Sequence, residues 1–240
     1  MQSALGKSTN DDACKRLHEE LWLLKVVRWP FKLEDLPDDG VYFFYEEGEL
    51  WGHGGDEPRI VRIGTHKEGN FKSRIMEHFV FDEKKLDFNE GQPAPKERSI
   101  FRKNIGRALL AKEKDDYLKV WEIDYTTKEN RKKFSNLRNI DKERELEKRI
   151  SRILREKFSF KYIIVNGEKD RMGSSGIESG LIGTVSRCRK CKPSKDWLGQ
   201  YSPKKEIRKS GMWLVQHLGS NPLDEQGWDS LKAAVEKTEG

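Results

Sequence analysis

Five side chains in this sequence stand out by type and spacing. They are Tyr42 in Gly40-Val41-Tyr42, Arg62 in Arg62-Ile63-Gly64, Arg74 and His78 four residues apart, and Glu178 in Glu178-Ser179-Gly180-Leu181-Ile182-Gly183. A phenol and an imidazole can carry a proton to or from a reacting group. A guanidinium can contact two oxygens of an anion at once. A carboxylate is a hard oxygen ligand for a divalent cation. Each residue also has a plainer account when taken alone. Tyr42 stands with Phe43, Phe44 and Tyr45, as an ordinary aromatic strand residue would. Arg74 and His78 share one side of a helix, as a solvated face does. Ser175-Gly176-Ile177-Glu178 reads as an S-x-x-E capping box, which would use the carboxylate to hold the helix end. The set in order, rather than any one member, argues for chemistry.

Elements of regular structure must bring these residues together. Leu17 to Val27 reads as a Leu-rich helix. Gly40 to Tyr45 and Arg59 to Gly64 read as neighbouring antiparallel strands, separated by a turn at Glu46-Glu47-Gly48-Glu49. Asn70 to Phe79 predicts a helix, with Phe71, Ile75 and Phe79 as its core stripe. Residues 81–98, with Pro93 and Pro95, read as a loop. Ser99 to Ala111 predicts a helix capped by Ser99. Tyr117 to Tyr125 alternates like a third strand. Asp141 to Phe158 is the clearest helix, with Leu146, Ile150, Ile153 and Leu154 on its apolar stripe. Lys161 to Val165 predicts a short strand, and Ser174 to Ser186 a helix facing the core through Ile177, Leu181 and Val185. Gly180 and Gly183 weaken that helix by about 1 kcal/mol each relative to Ala, which close approach to the sheet or to a bound molecule would explain. A short helix near Ile207 to Leu218 follows. Short strands with helices added in blocks predict an α+β fold.

The Gly40-Val41-Tyr42 and Arg62-Ile63-Gly64 pair, then the Arg74/His78 helix, then the Glu178 helix, resembles the GIY-YIG nuclease family. The likeness runs from Gly40 to about Trp197, interrupted between about residues 80 and 170. It implies a small three-stranded antiparallel sheet flanked by helices, with a helical insertion and a C-terminal extension. It implies a domain plan of residues 1–39 as an N-terminal extension, 40–218 as a single nuclease domain and 219–240 as a tail. It also implies a metal-dependent endonuclease that hydrolyses DNA, with one Mg²⁺ or Mn²⁺ in each active site. In that reading Tyr42 activates water, its phenol pulled down by nearby cations. Arg74 holds the phosphate, His78 relays a proton or binds a phosphate oxygen, and Glu178 is the metal ligand. Two departures follow. Arg62 stands where the family has its second tyrosine, a cation placed to lower the Tyr42 pKa or hold phosphate. In Pro193-Ser194-Lys195-Asp196, an aspartate takes the place of the family's asparagine.

Composition narrows the class. The 240 residues include 47 Lys and Arg against 41 Asp and Glu, so the formal charge is +6. No apolar run approaches the roughly 20 residues of a membrane span, and the polar start carries no secretory pattern. These features predict a soluble cytoplasmic protein. The charge is concentrated: Lys128 to Lys157 holds 12 basic and 6 acidic residues, and Arg187 to Lys209 holds 9 and 2. Many charges of the first block can pair along a helix. The second has too few acids for that, so Arg187, Arg189, Lys190, Lys192 and Lys195 are the expected contacts to double-stranded DNA. No zinc finger or helix-turn-helix spacing is present. Recognition must then come from the insertion and the basic loop, as in the restriction branch of the family, with a homodimer if both strands of a palindrome are cut. A repair or processing nuclease and a catalytically decayed DNA-binding module are the alternatives.

Cys14, Cys188 and Cys191 cannot form a disulfide framework. Cys188-x-x-Cys191 has metal-ligand spacing, but structural zinc needs four ligands. Cys14 and His217 are the remote candidates, and no second such pair exists. Free thiols beside a basic loop are the expectation, with a zinc-stabilised interaction protein as the competing reading. Trp197 and Trp213 are expected as core anchors rather than base-stacking residues.

Overall fold

The computed structural model describes residues 9–86, 94–173 and 176–240. Its four strands, β1 (Val27–Arg28), β2 (Val41–Leu50), β3 (Pro58–Gly64) and β4 (Phe158–Ile163), form one antiparallel sheet in the order β1-β4-β2-β3. The three longer strands are the expected small sheet. β1 adds a two-residue edge beside β4.

Helices cover both faces. In chain order they are α1 (Asn10–Glu20), α2 (Phe71–Phe79), α3 (Pro95–Arg98), α4 (Ile100–Lys112), α5 (Leu118–Glu122), α6 (Lys128–Phe134), α7 (Ile140–Lys157), α8 (Glu168–Arg171), α9 (Ile177–Ser186), α10 (Lys205–Ser210) and α11 (Glu225–Glu239). The period of two along β2 sorts its side chains. Tyr42 and Phe44 join Phe71, Ile75, Phe79, Phe101, Ile150 and Leu154 in one core. Val41, Phe43 and Tyr45 join Leu17, Leu21, Leu181, Leu231 and Val235 in the other. A strand buried on both faces reads as a continuous apolar run, which is why GVYFFY shows no polar alternation.

Several elements differ from the sequence reading, each for a physical reason. Residues 117–125 are not a strand: Tyr117 precedes α5, and Trp121 is fully buried against Gly106 of α4, its indole N–H donating to the Lys103 carbonyl at 3.0 Å. Tyr117 and Trp121 are four apart, so a helical turn serves them as well as alternation did. The first helix begins earlier than expected, because Thr9 and Asp12 form a capping box, and it is capped at Leu21. Residues 46–49 continue β2 instead of turning, with shifts of register against β3. Its acids find internal donors: Glu46 accepts the indole N–H groups of Trp197 at 2.8 Å and Trp213 at 2.9 Å, and Glu49 pairs with buried Arg59. Burial still raises the Glu46 carboxyl to about 6. Both tryptophans are thus core anchors, as expected. Residues 219–240 include α11, whose Leu231, Ala234 and Val235 are buried in the second core. Gly180 and Gly183 meet this same C-terminal segment rather than the sheet; a Cβ on Gly183 would lie 2.5 Å from the Ser220 and Asn221 carbonyl oxygens. Pro93 and Ser175 lie outside the described residues.

A buried ion pair within the insertion also ties it to α2. Arg102 of α4 is fully buried and donates to the Glu147 carboxylate of α7 at 2.8 and 2.6 Å. It also donates at 2.8 Å to the His78 carbonyl, the Glu147 carbonyl and Ser151 Oγ. One guanidinium therefore ties α2, α4 and α7. Removing one partner of such a pair costs about 3–5 kcal/mol, because the other charge stays buried. Arg102→Ala is expected to lose that much in equilibrium urea unfolding. A loss no larger than that of an ordinary surface substitution would show that the pair does not hold the insertion.

Candidate active site

Tyr42 pairs across the hairpin with Gly64. A Cβ on Gly64 would lie 2.5 Å from the Tyr42 hydroxyl oxygen and 2.6–2.7 Å from its ring. The phenol thus lies flat over Gly64, and only glycine leaves that space. Gly40 is held just as closely: its N–H donates to His66 Nε2 at 3.1 Å and its carbonyl accepts from Thr65 Oγ1 at 3.0 Å. A Cβ on Gly40 would lie 2.4 Å from the Ile163 carbonyl oxygen of β4, so the glycines of both motifs are steric requirements of the sheet.

From Tyr42 a chain of polar groups runs into α2 and α4. The Tyr42 hydroxyl is 3.1 Å from His78 Nε2, and His78 Nδ1 is 2.8 Å from Ser99 Oγ. Ser99 also caps α4 by accepting the Arg102 N–H at 3.2 Å. A neutral imidazole has one donor and one acceptor. In the tautomer that carries its proton on Nδ1, His78 donates to Ser99 Oγ and its Nε2 accepts from the Tyr42 hydroxyl. Burial holds His78 well below the ordinary histidine value, and Arg62, Arg74 and Arg102 push it the same way. The imidazole is therefore neutral and able to accept.

The Tyr42 phenol does not behave as its cationic neighbours alone predict. It is 1% exposed, and burial raises its pKa. Arg62 and Arg74 oppose that rise, and the Glu178 charge adds to it. Desolvation wins because an anion in the low-dielectric core loses more hydration than two partly screened cations return. The expected depression of Tyr42 is thus a rise.

Arg62 is the cation at the centre. Its side chain is buried, donates to the Trp213 carbonyl at 2.7 Å and lies over the Phe101 ring at 4.9 Å. Its Nε has no partner within the protein. Its charge opposes the rise at Tyr42, and it is the leading opposing charge at Glu178. Arg74 is half-exposed and donates to Glu77 at 3.0 Å and to the Arg98 carbonyl at 2.7 Å.

Glu178 lies in the first turn of α9, whose N-cap is Gly176 with no side-chain cap bond. Burial raises its pKa, while Arg62, His217 and the Thr65 backbone N–H lower it. Lone pairs remain for a cation. Among the described residues, no group of three or more His, Cys, Asp or Glu ligands includes Glu178. A single carboxylate suits an ion that keeps most of its waters, as Mg²⁺ does. Asp196 is exposed, and the charges acting on Tyr42 and Glu178 do not include it. Ser99, Thr65 and His217 join the site without having been assigned to it by sequence. The signal for Thr65 was its position directly after Gly64; Ser99 was legible only as a helix cap.

The basic loop lies after α9. Arg187, Arg189, Lys190, Lys192 and Lys195 are all exposed. Arg187 donates to the Gly219 and Ser220 carbonyls at 2.9 Å, and Arg189 pairs loosely with Asp11 at 3.5 Å while 81% exposed. Lys190, Lys192 and Lys195 have no ion pair among the described residues. In the other basic block, Arg138, Lys142, Arg144, Lys148 and Arg149 are each held by an acid.

A family model of the GIY-YIG domain matches residues 14–240. No curated protein and no solved structure matches the chain. Among the described residues no helix is long and apolar enough to cross a membrane. The family match takes in α1, the whole sheet, the insertion and α11, together with every residue of the constellation around Tyr42. The chain belongs to the GIY-YIG domain family, whose members are nucleases acting on DNA.

Proposed function

We propose that this protein is a site-specific endonuclease that hydrolyses double-stranded DNA with Mg²⁺ or Mn²⁺. The observation that carries the reading is the buried chain from Tyr42 through His78 to Ser99, with the Arg62 charge acting on both the phenol and Glu178. A nucleophilic water gives its proton to the Tyr42 oxygen as the Tyr42 proton moves to His78 Nε2. The water oxygen bonds to phosphorus, the bond to the leaving oxygen breaks, and the leaving oxygen takes a proton from solvent water. In this relay the phenol passes the proton on and the neutral imidazole, 3.1 Å away, is its acceptor, so the pair acts together as the general base. Arg74 offers a forked contact to the phosphate. Arg62, with an unpartnered Nε, supplies the positive charge that the family's second tyrosine would not. Glu178 would hold a divalent cation, which would supply charge neutralisation at the phosphate.

Recognition in this reading comes from the insertion and from the exposed loop at Arg187, Arg189, Lys190, Lys192 and Lys195. The loop is the stronger phosphate-binding surface, because the cations of α7 are largely paired within the protein. Cutting both strands of a palindrome calls for two copies. Arg62 in place of tyrosine, and Asp196 exposed away from Tyr42, favour a second reading: a DNA-binding module without catalysis. Incubation with plasmid and genomic DNA plus Mg²⁺ or Mn²⁺ separates them. Ends at one recurring sequence support the endonuclease. Binding with intact supercoiled plasmid under either ion supports the module.

Three variants test the roles. Tyr42→Phe is expected to lower the single-turnover cleavage rate by about 10²–10⁴-fold, the usual span for a proton-transfer group, with DNA affinity nearly unchanged. An unchanged rate would remove Tyr42 as the base. Glu178→Ala is expected to abolish metal-dependent cleavage while leaving binding intact, and cleavage that survives it would reject the metal assignment. Arg74→Ala is expected to weaken both rate and affinity, since a phosphate contact serves both states; normal kinetics would place Arg74 outside the site.

A further inference from the structure

The three cysteines, expected as free thiols, converge with a histidine that sequence spacing did not suggest. The ligand atoms of Cys14, His53, Cys188 and Cys191 all lie within 4.8 Å of one another. Cys14 Sγ is 3.8 Å from Cys191 Sγ, and Cys188 Sγ is 3.4 Å from His53 Nε2. Tetrahedral zinc with Zn–S near 2.3 Å and Zn–N near 2.0–2.1 Å places two sulfurs about 3.8 Å apart and a sulfur and a nitrogen about 3.6 Å apart. The observed separations match those of a four-ligand site.

We propose that Cys14, His53, Cys188 and Cys191 form a structural zinc site, separate from the catalytic metal position at Glu178. Four protein ligands close the coordination sphere, as structural sites do, and leave no position for a reacting water. Backbone N–H groups already point at the sulfurs: Gly52 donates to Cys191 Sγ at 3.5 Å and Cys191 to Cys188 Sγ at 3.4 Å. Such donors offset thiolate charge and hold ligands in place. The cysteines pack with Trp51 in a small core of their own.

His18 is close by, and its bonds exclude it as a ligand. Its Nδ1 bonds the Cys14 carbonyl at 2.9 Å and its Nε2 accepts the Ile60 N–H at 3.1 Å, so both ring nitrogens are used. His217, the remote candidate by sequence, acts instead on Glu178. His53 was missed because it sits in the turn between β2 and β3, far in sequence from any cysteine.

The site joins three segments. Cys14 comes from α1, His53 from the hairpin that carries Tyr42 and Arg62, and Cys188 and Cys191 from the basic loop. The contact is tight: a Cβ on Gly52 would lie 2.0 Å from the Lys190 carbonyl oxygen. Arg189, Lys190 and Lys192 are interleaved with the two cysteine ligands and exposed. Zinc would therefore fix the loop's cations relative to the hairpin, a positioning role rather than a catalytic one.

Metal analysis of the full chain, purified without chelator or added metal, tests this. One zinc per chain is expected. Zinc is expected to be retained in Glu178→Ala and His217→Ala, and lost in His53→Ala and Cys188→Ser. If those two fail to fold, Co²⁺ titration of the zinc-stripped, reduced wild type replaces them: one equivalent should give the visible spectrum of tetrahedral cobalt with thiolate ligands and restore the Tm lost on stripping. Wild type that holds no zinc, and gives neither a cobalt spectrum nor a Tm shift, would overturn the proposal. Zinc that persists in His53→Ala and Cys188→Ser, or is lost in Glu178→Ala alone, would overturn it too, as would a Cys14–Cys191 disulfide in its place. None of these outcomes depends on DNA cleavage, so the zinc site and the nuclease reading fail separately.

Discussion

The pairing of Tyr42 with Gly64 is the constraint on which the site depends. A slip of one residue would turn Tyr42 into the opposite core and bring Val41 or Phe43 over α2. The absent side chain at Gly64 lets the phenol lie across β3 and end beside His78. That places a strand residue, a helix residue and the cap of a second helix in one line. Arg62, two residues before Gly64 on the same strand, then falls beside the phenol, and Thr65, one residue after it, reaches both Gly40 and Glu178. The hairpin register therefore arranges most of the chemistry before any other element is added.

Burial decides the electrostatics. Tyr42, His78 and Glu178 are all shifted chiefly by desolvation, with nearby guanidiniums acting as the second influence. The result is a hydrogen-bonded line of neutral groups, Tyr42, His78 and Ser99, rather than a preformed tyrosinate. Elsewhere the fold accepts buried charge only where partners are close: Arg102 with Glu147, Arg59 with Glu49, and Glu46 between two indoles. These contacts absorb charges that composition alone would assign to the surface. The net charge of +6 is thus a poor guide to where positive charge stands free; among the described residues Lys190, Lys192 and Lys195 are exposed without an ion pair.

The loop and the hairpin meet at the cysteine cluster. Nothing in the catalytic chain requires this contact, yet it sets where the exposed cations stand relative to Tyr42 and Arg62. A closed four-ligand metal site is suited to that task, because it rigidifies segments that bury little apolar surface of their own.

The α+β class, the hairpin, the site helix and the order of Tyr42, Arg62, Arg74, His78 and Glu178 were legible in the sequence, because local periodicity and motif order carry that information. The clear helix α7 was legible for the same reason. Residues 117–125 were not, since a stretch of aromatics four apart satisfies helix and alternation equally until Gly106 supplies the pocket for Trp121. The depth of β2, the packing of α11 and the direction of the Tyr42 shift were also hidden, because burial is a property of what covers a residue. His53 shows the limit most plainly. Spacing exposes ligands only when they share a segment, as Cys188 and Cys191 do. Cys14 and His53 come from separate elements, and only the packed chain brings their ligand atoms within 4.8 Å.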